Sequence, residues 1–160
     1  MLEGFAFQGF DSLPATVQRP LKRRLRQLAR TTGLDQLHTT VVFVNNSEMK
    51  RLNFMYRGQN KVTDVLSFSA WEGQPMPGLE HILGDLVIAI PKAQKQAMAY
   101  GHDLLDEMTV LITHGLLHLL GLDHDRSDSE AIRQAECEMG FLSMMGVPVE
   151  RCLVGRALFH

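Results

Sequence analysis

The segment from Asp103 to Leu120 constrains the fold more than any other part of the chain. Apolar residues occur on nearly every side of the helix that its periodicity predicts. A helix that is apolar all round is buried inside a domain, so the rest of the chain must surround it. The 160 residues and the hydrophobic fraction of 45% allow a real core, and we expect one domain spanning residues 1–160.

Two histidines lie on this predicted helix, and a third follows it. His114 and His118 share one face, with Cβ atoms about 5–6 Å apart, so both imidazoles can reach one metal ion. Gly121 can end the helix in a left-handed conformation, which turns the chain back and brings His124 toward the same ion. Three neutral imidazoles leave a fourth position open for water, which is typical of a catalytic zinc site. We therefore predict one Zn²⁺ ion held by His114, His118 and His124.

The spacing of the three histidines is also that of the metzincin proteases, His-Glu-x-x-His-x-x-Gly-x-x-His. The Glu that serves as general base in those enzymes is Gly115 in this chain. A zinc metallopeptidase therefore remains an alternative only if another carboxylate acts as the base. Glu107 and Asp85 are the candidates, although Glu107 lies two helical turns from His114.

Four short blocks of the chain resemble one known family. The pattern HGxLHLxGxDH at 114–124 resembles the signature of the YbeY family, which are bacterial metal-dependent endoribonucleases. Three further blocks agree with that family in the same order, namely LNxxYR at 52–57, TDVLSF at 63–68 and LGD at 83–85. The resemblance covers about residues 40–125. The departures, which remove no metal ligand, are Val62, Ser69 and Leu122.

The resemblance implies a single-strand-specific endoribonuclease, a hydrolase that acts in ribosomal RNA processing. Its expected roles are maturation of the 3′ end of 16S RNA and ribosome quality control. The expected partners are single-stranded ribosomal RNA and the small ribosomal subunit, with no DNA and no membrane. His114 and Arg57 are the expected catalytic residues, and Arg57 would grip the scissile phosphate with its planar guanidinium. On position alone, Arg57 would instead bond the last carbonyls of its helix.

A non-catalytic ribosome-assembly factor with a structural metal is a second alternative. A structural zinc site usually has four protein ligands, and Asp123 is the residue that could supply the fourth. Asp85, at the start of an apolar strand, has two interpretations as well. It is either a hydrogen-bonded structural carboxylate or a residue that orients one of the ligand histidines.

Charge is distributed unevenly along the chain. Residues 1–80 contain 10 Lys/Arg and 7 Asp/Glu, a net +3, whereas residues 81–160 contain 6 and 11, a net −5. Much of the positive charge lies on an amphipathic helix predicted for residues 13–32. Its polar face is either a solvated surface or a phosphate-binding one, which would show as salt-dependent RNA affinity. The basic residues are Arg19, Lys22, Arg23, Arg24, Arg26 and Arg30.

The remaining periodicities predict an α+β domain in which a small mixed sheet of three or four strands packs against helices. Strands are expected at 39–44, 62–68 and 83–90, and the apolar run 5–10 could complete the sheet. Ser47 is the expected N-cap of a helix reaching about residue 56. A last helix opens at Ser127, and its inward residues are predicted to be Ile132, Ala135, Met139 and Leu142.

Two features predict a cytoplasmic protein. Cys137 and Cys152 are too few for a disulfide framework, which suggests a reducing compartment. The first residues also lack the basic region and long apolar run of a signal peptide.

Overall fold

The computed structural model describes residues 4–71, 77–121 and 128–147. Within these ranges the chain forms four strands and five α-helices, and the α+β prediction is confirmed. No helix among them is long and apolar enough to cross a membrane. In chain order the elements are β1 (Phe5–Gln8), α1 (Ala15–Thr32), β2 (His38–Val44), α2 (Asn46–Arg57), β3 (Val65–Ser69), β4 (Ile82–Ala89), α3 (Ile90–Tyr100), α4 (Leu104–Leu119) and α5 (Asp128–Met144).

The four strands form one mixed sheet in the order β1-β2-β4-β3. β2 pairs in parallel with β1 and β4, whereas β3 pairs with β4 in antiparallel fashion and lies at the edge. The apolar run near the start of the chain supplies β1, as its composition suggested. Gly84 in β4 has φ of +146°, and a Cβ there would lie 2.3 Å from the carbonyl oxygen of Phe68. Glycine is therefore required for the close approach of β3 and β4.

The sheet buries both of its faces. On one face, side chains such as Val41, Phe43 and Leu86 pack in one core with residues of α1, α4 and α5. On the other face a smaller cluster contains Met49 of α2 together with Val87. The helix α4 is buried on nearly all sides, as predicted, because it lies between the sheet and the helices α1, α3 and α5.

Two local predictions differ from the structure, and a third falls on residues that it does not describe. Asn45, not Ser47, caps α2, because its side-chain oxygen accepts the Glu48 amide hydrogen at 2.9 Å. The edge strand β3 begins at Val65, three residues later than expected, because Asp64 instead bonds the Val65 amide through its carboxylate. Ser127, the expected start of the last helix, lies outside the described residues.

The face that α5 turns inward also differs from the prediction. Ile132, Ala135 and Met139 are exposed, whereas Gln134, Glu138 and Leu142 are buried. The prediction is confirmed for Leu142 and wrong for the other three residues, because two of the three buried positions carry polar residues that hydrophobic periodicity does not detect. These polar residues pack against α4 at the histidines.

Candidate metal and phosphodiester site

His114 and His118 lie together near the C-terminal end of α4. The two residues are four positions apart, so they lie one turn apart on the same face of the helix. Their rings pack edge to face with centroids 4.6 Å apart. Their Nε2 atoms are 3.0 Å apart, so the two nitrogens converge on one point. The third predicted ligand, His124, and the possible fourth ligand, Asp123, lie outside the described residues.

Glu138 of α5 contacts the far side of the His114 ring. The Nδ1 of His114 donates a hydrogen bond to a carboxylate oxygen of Glu138. This bond requires the proton on Nδ1 and leaves the lone pair on Nε2, the nitrogen that faces His118. Gln134 donates to the same carboxylate oxygen at 3.2 Å, and both side chains are buried, with Glu138 only 6% exposed.

Glu138 was not among the site residues predicted from the sequence. A glutamate in the middle of a helix reads as a solvent-facing residue, since hydrophobic periodicity carries no information about polar groups that are buried with partners. A weak signal was available in the spacing, because Gln134, Glu138 and Leu142 recur every four residues on one face.

The geometry of this pair fits a divalent metal ion. Two nitrogens bound to one tetrahedral Zn²⁺ at 2.0–2.1 Å lie about 3.3–3.4 Å apart, close to the 3.0 Å between the two Nε2 atoms. The carboxylate behind His114 is the partner that ligating histidines usually have. In ranges 4–71, 77–121 and 128–147, no cluster of three His, Cys, Asp or Glu residues could hold an ion. Of the three predicted ligands, these ranges contain only His114 and His118.

Gly115 lies where the helix α4 packs most closely on the sheet. A Cβ built on this residue would lie 2.7 Å from one methyl carbon of Leu86 and 3.4 Å from Oγ of Ser67. A glutamate at this position would therefore point its carboxylate into the interface between helix and sheet. Any side chain at position 115 would therefore require the Leu86 side chain to move.

The two other carboxylates proposed as a peptidase base are also badly placed. Glu107 is fully buried and bonds Nε2 of His102 at 2.5 Å, which engages it at the opposite end of α4. Successive strand residues face opposite sides of a sheet, so Asp85 points away from α4 while its neighbour Leu86 packs against it. Asp85 is therefore not a partner of His114 or His118, and the third predicted ligand, His124, lies outside the described residues. Asp85 is exposed, and its carboxylate forms no hydrogen bond or ion pair among the described residues, so the structural interpretation gains no support either.

Arg57 lies at the exposed end of α2. The carbonyls of Phe54 and Asn53 accept from the backbone amides of Gly58 at 2.9 Å and Gln59 at 3.4 Å, and the Arg57 side chain forms no hydrogen bond to the carbonyls of this helix end. Its guanidinium forms no hydrogen bond or ion pair with any residue in the described ranges. A cation without an internal partner is able to bind a phosphate.

The edge strand β3 separates Arg57 from the histidines. Tyr56 packs edge to face on Phe68 with centroids 5.1 Å apart. The neighbouring residue, Ser67, faces Gly115 on the opposite side of the strand. The structure thus brings His114 and His118 together but forms no direct contact between either of them and Arg57.

Comparisons with known proteins point to one family. The family model described as Endoribonuclease YbeY matches residues 8–145 of this chain. The chain is similar to an Endoribonuclease YbeY from Pelotomaculum thermopropionicum, with 40% identity over 142 residues that cover 86% of this chain and 93% of the relative. An Endoribonuclease YbeY from Desulforamulus reducens is 45% identical over 111 residues, covering 67% and 71%.

The fold has a match among solved structures. The solution structure of a Thermotoga maritima protein superposes with a TM-score of 0.65 and 24% sequence identity. The match covers 91% of this chain and 95% of that protein. At this level of identity the likeness bears on the fold alone.

Proposed function

Since this chain belongs to the YbeY family of endoribonucleases, we propose that it is a metal-dependent enzyme specific for single-stranded RNA. Its substrate is ribosomal RNA, notably the 3′ end of the small-subunit 16S RNA, and its partner in ribosome quality control is the small subunit. The observation that carries the metal-dependent mechanism is the convergence of the His114 and His118 Nε2 atoms at 3.0 Å, with Glu138 bonded behind His114.

The proposed metal centre uses His114, His118 and His124 as ligands for one Zn²⁺ ion. A bound zinc ion supplies a Lewis acid for the phosphodiester and lowers the pKa of water, so that a nucleophile exists at neutral pH. Glu138 holds the proton on Nδ1 of His114 and keeps that ring oriented, which makes it a positioning residue. In this mechanism His114 contributes to catalysis by binding the zinc ion.

Arg57 is proposed to bind a non-bridging oxygen of the scissile phosphate. The phosphate gains negative charge in the transition state, and a guanidinium that is already in place stabilises it. A guanidinium group suits this role because its planar fork matches the geometry of phosphate oxygens. Its exposed position at the end of α2 and its lack of an internal partner in the described ranges support this role.

The central experiment uses the full chain with zinc content confirmed by elemental analysis. It is incubated with single-stranded RNA that carries the 16S 3′ extension, and with the same sequence annealed to its complement. We expect cleavage of the single strand, loss of cleavage when zinc is chelated, and little cleavage of the duplex. Tight zinc binding without cleavage, even when small subunits are added, would exclude the nuclease and favour a structural metal in an assembly factor.

Replacing Arg57 by alanine is expected to lower kcat by about 10²-fold, because one preorganised donor to the transition-state charge is removed. Zinc content and the free energy of unfolding should stay unchanged, since the side chain is exposed. Arg51→Ala is the matched control, because Arg51 lies on the same helix but bonds Glu48 at 2.6 Å. Equal losses in the two variants would contradict a specific role for Arg57.

Replacing Glu138 by alanine is expected to weaken zinc affinity by about 10–100-fold, because His114 loses the partner that orients it. Glu138→Gln keeps an acceptor oxygen and should lose less. The measurement is a competition titration against a chelator, with thermal unfolding of the metal-free chain as the test of folding. Glu136→Gln, an exposed position on the same helix, is the control. Unchanged zinc affinity in Glu138→Ala would show that its bond to His114 serves packing only.

A further inference from the structure

Four arginines form one stripe along α1. Arg19, Arg23, Arg26 and Arg30 follow at intervals of four, three and four residues, which places them on a single face of the helix. All four are exposed, and the stripe extends about 16 Å along the helix axis. Three of the arginines border a shallow surface depression that also contains Gln27 and Thr31. We refer to these four residues as the arginine stripe.

The arginine stripe does not stabilise the helix α1. α1 contains six basic residues and no acidic one, so its charges at i and i+4 repel each other. Arg24, on another side of the helix, has a structural role in contrast, since it donates hydrogen bonds to Asp106 at 2.7 Å and to Thr109 at 3.1 Å. Arg19, Arg23 and Arg26 form no ion pair with any residue in ranges 4–71, 77–121 and 128–147. A polyanion would relieve the repulsion between them.

The helix α5 connects the stripe to the histidine pair. Gln27, which lies among the stripe arginines, donates a hydrogen bond to the carbonyl of Met144 at 2.8 Å. Glu138, on the same helix, bonds His114. Six residues of helix separate Glu138 from Met144, which is about 9 Å along the axis. The stripe therefore begins within a few nucleotides' length of the site proposed for phosphodiester cleavage.

We infer that the arginine stripe binds the phosphate backbone of the single-stranded RNA whose cleavage takes place at His114 and His118. Arginine suits this task because its planar fork binds phosphate oxygens in pairs without reading the base sequence. The inference rests on the proposed ribonuclease function for the identity of the ligand. It adds a surface remote from the reacting atoms that determines affinity and salt dependence.

The test is the salt dependence of RNA binding by the triple variant Arg19→Gln/Arg23→Gln/Arg26→Gln. Arg30 is retained because it has a further interaction within the chain. The full-length, zinc-loaded chain is titrated into fluorescent single-stranded RNA at several KCl concentrations, and each anisotropy value is read before cleavage is detectable. Each phosphate contact contributes about 0.7 to the slope of log affinity against log salt, so the variant should lose about two units of slope.

The matched control removes three positive charges elsewhere, with Lys61→Gln, Lys92→Gln and Lys95→Gln combined. These lysines precede β3 or lie on α3, away from the stripe. If the control loses as much slope as the triple variant, net charge explains the binding and the inference is wrong. Thermal unfolding of both variants checks that they fold, which is expected because the substituted stripe residues are exposed.

Two outcomes separate this inference from the proposed function. Cleavage by the wild type together with an unchanged slope in the triple variant would overturn the stripe and leave the nuclease intact. A reduced slope without cleavage by the wild type would support the stripe as an RNA-binding surface and contradict the proposed nuclease function.

A competition experiment with polyglutamate, an acidic peptide, tests whether the stripe binds RNA or an acidic protein. If polyglutamate binds with the same arginine-dependent affinity as RNA, the stripe is a protein-docking surface and the RNA inference fails.

Discussion

Replacing His118 by alanine is expected to abolish zinc binding and RNA cleavage together. The Nε2 of His118 lies 3.0 Å from that of His114. Removal of the His118 imidazole leaves the His114 Nε2 as the one remaining metal-binding nitrogen of this pair. Loss of an orienting partner alone costs a metal site about 10–100-fold, so loss of a ligand should exceed that range, and we expect cleavage to fall by at least 10³-fold. Elemental analysis of the purified chain and a single-turnover cleavage assay measure the two losses.

The variant should remain folded, because the structure already holds α4 in place through its apolar side chains. His81→Ala is the control, since His81 is exposed at the turn before β4 and takes no part in the site. Persistent cleavage by His118→Ala with zinc absent would contradict a metal-dependent mechanism. Retained zinc with lost cleavage would instead mean that the ion has other ligands and that His118 acts on the RNA directly.

Replacing Gly115 by glutamate would complete the protease motif of the sequence, and it is expected to destabilise the fold. A Cβ at this position already lies 2.7 Å from a methyl carbon of Leu86. Overpacking costs about 1–3 kcal/mol, and burial of a polar group without a partner costs roughly 2–7 kcal/mol. We expect the free energy of unfolding to fall by at least about 3 kcal/mol, which is a large fraction of the stability of a typical domain. Urea denaturation measures the change.

Gly140→Glu is the matched control for this variant. Gly140 lies on α5, and a Cβ there meets no atom within 4 Å. Glutamate is a better helix former than glycine by about 0.5–1 kcal/mol, so this variant should be as stable as the wild type or slightly more stable. If Gly115→Glu folded normally and hydrolysed peptides, the packing explanation of Gly115 would be wrong and the metallopeptidase alternative would return.

The sequence alone determined the central helix, the pairing of His114 with His118 and most of the strands. Helical and strand periodicities are local properties, and they were strong because α4 is apolar on nearly all sides and β2 and β4 are rich in aliphatic residues. Two histidines four residues apart share a helix face in any fold. The resemblance of four short blocks then indicated the family, which the comparisons confirm.

Only the tertiary structure decided which polar residues face the histidines. Glu138 follows His114 by 24 residues, and the four-residue spacing of Gln134, Glu138 and Leu142 does not reveal that this face of α5 packs against α4. The sequence left open whether Asp85 orients a histidine, and strand alternation places it on the face of the sheet away from His114 and His118. Gly115 marked a missing catalytic group in the sequence, and only the structure shows that position 115 faces Leu86 of the sheet. Periodicity reports how a segment divides between core and solvent, whereas the partners of a buried polar group depend on how distant elements pack together.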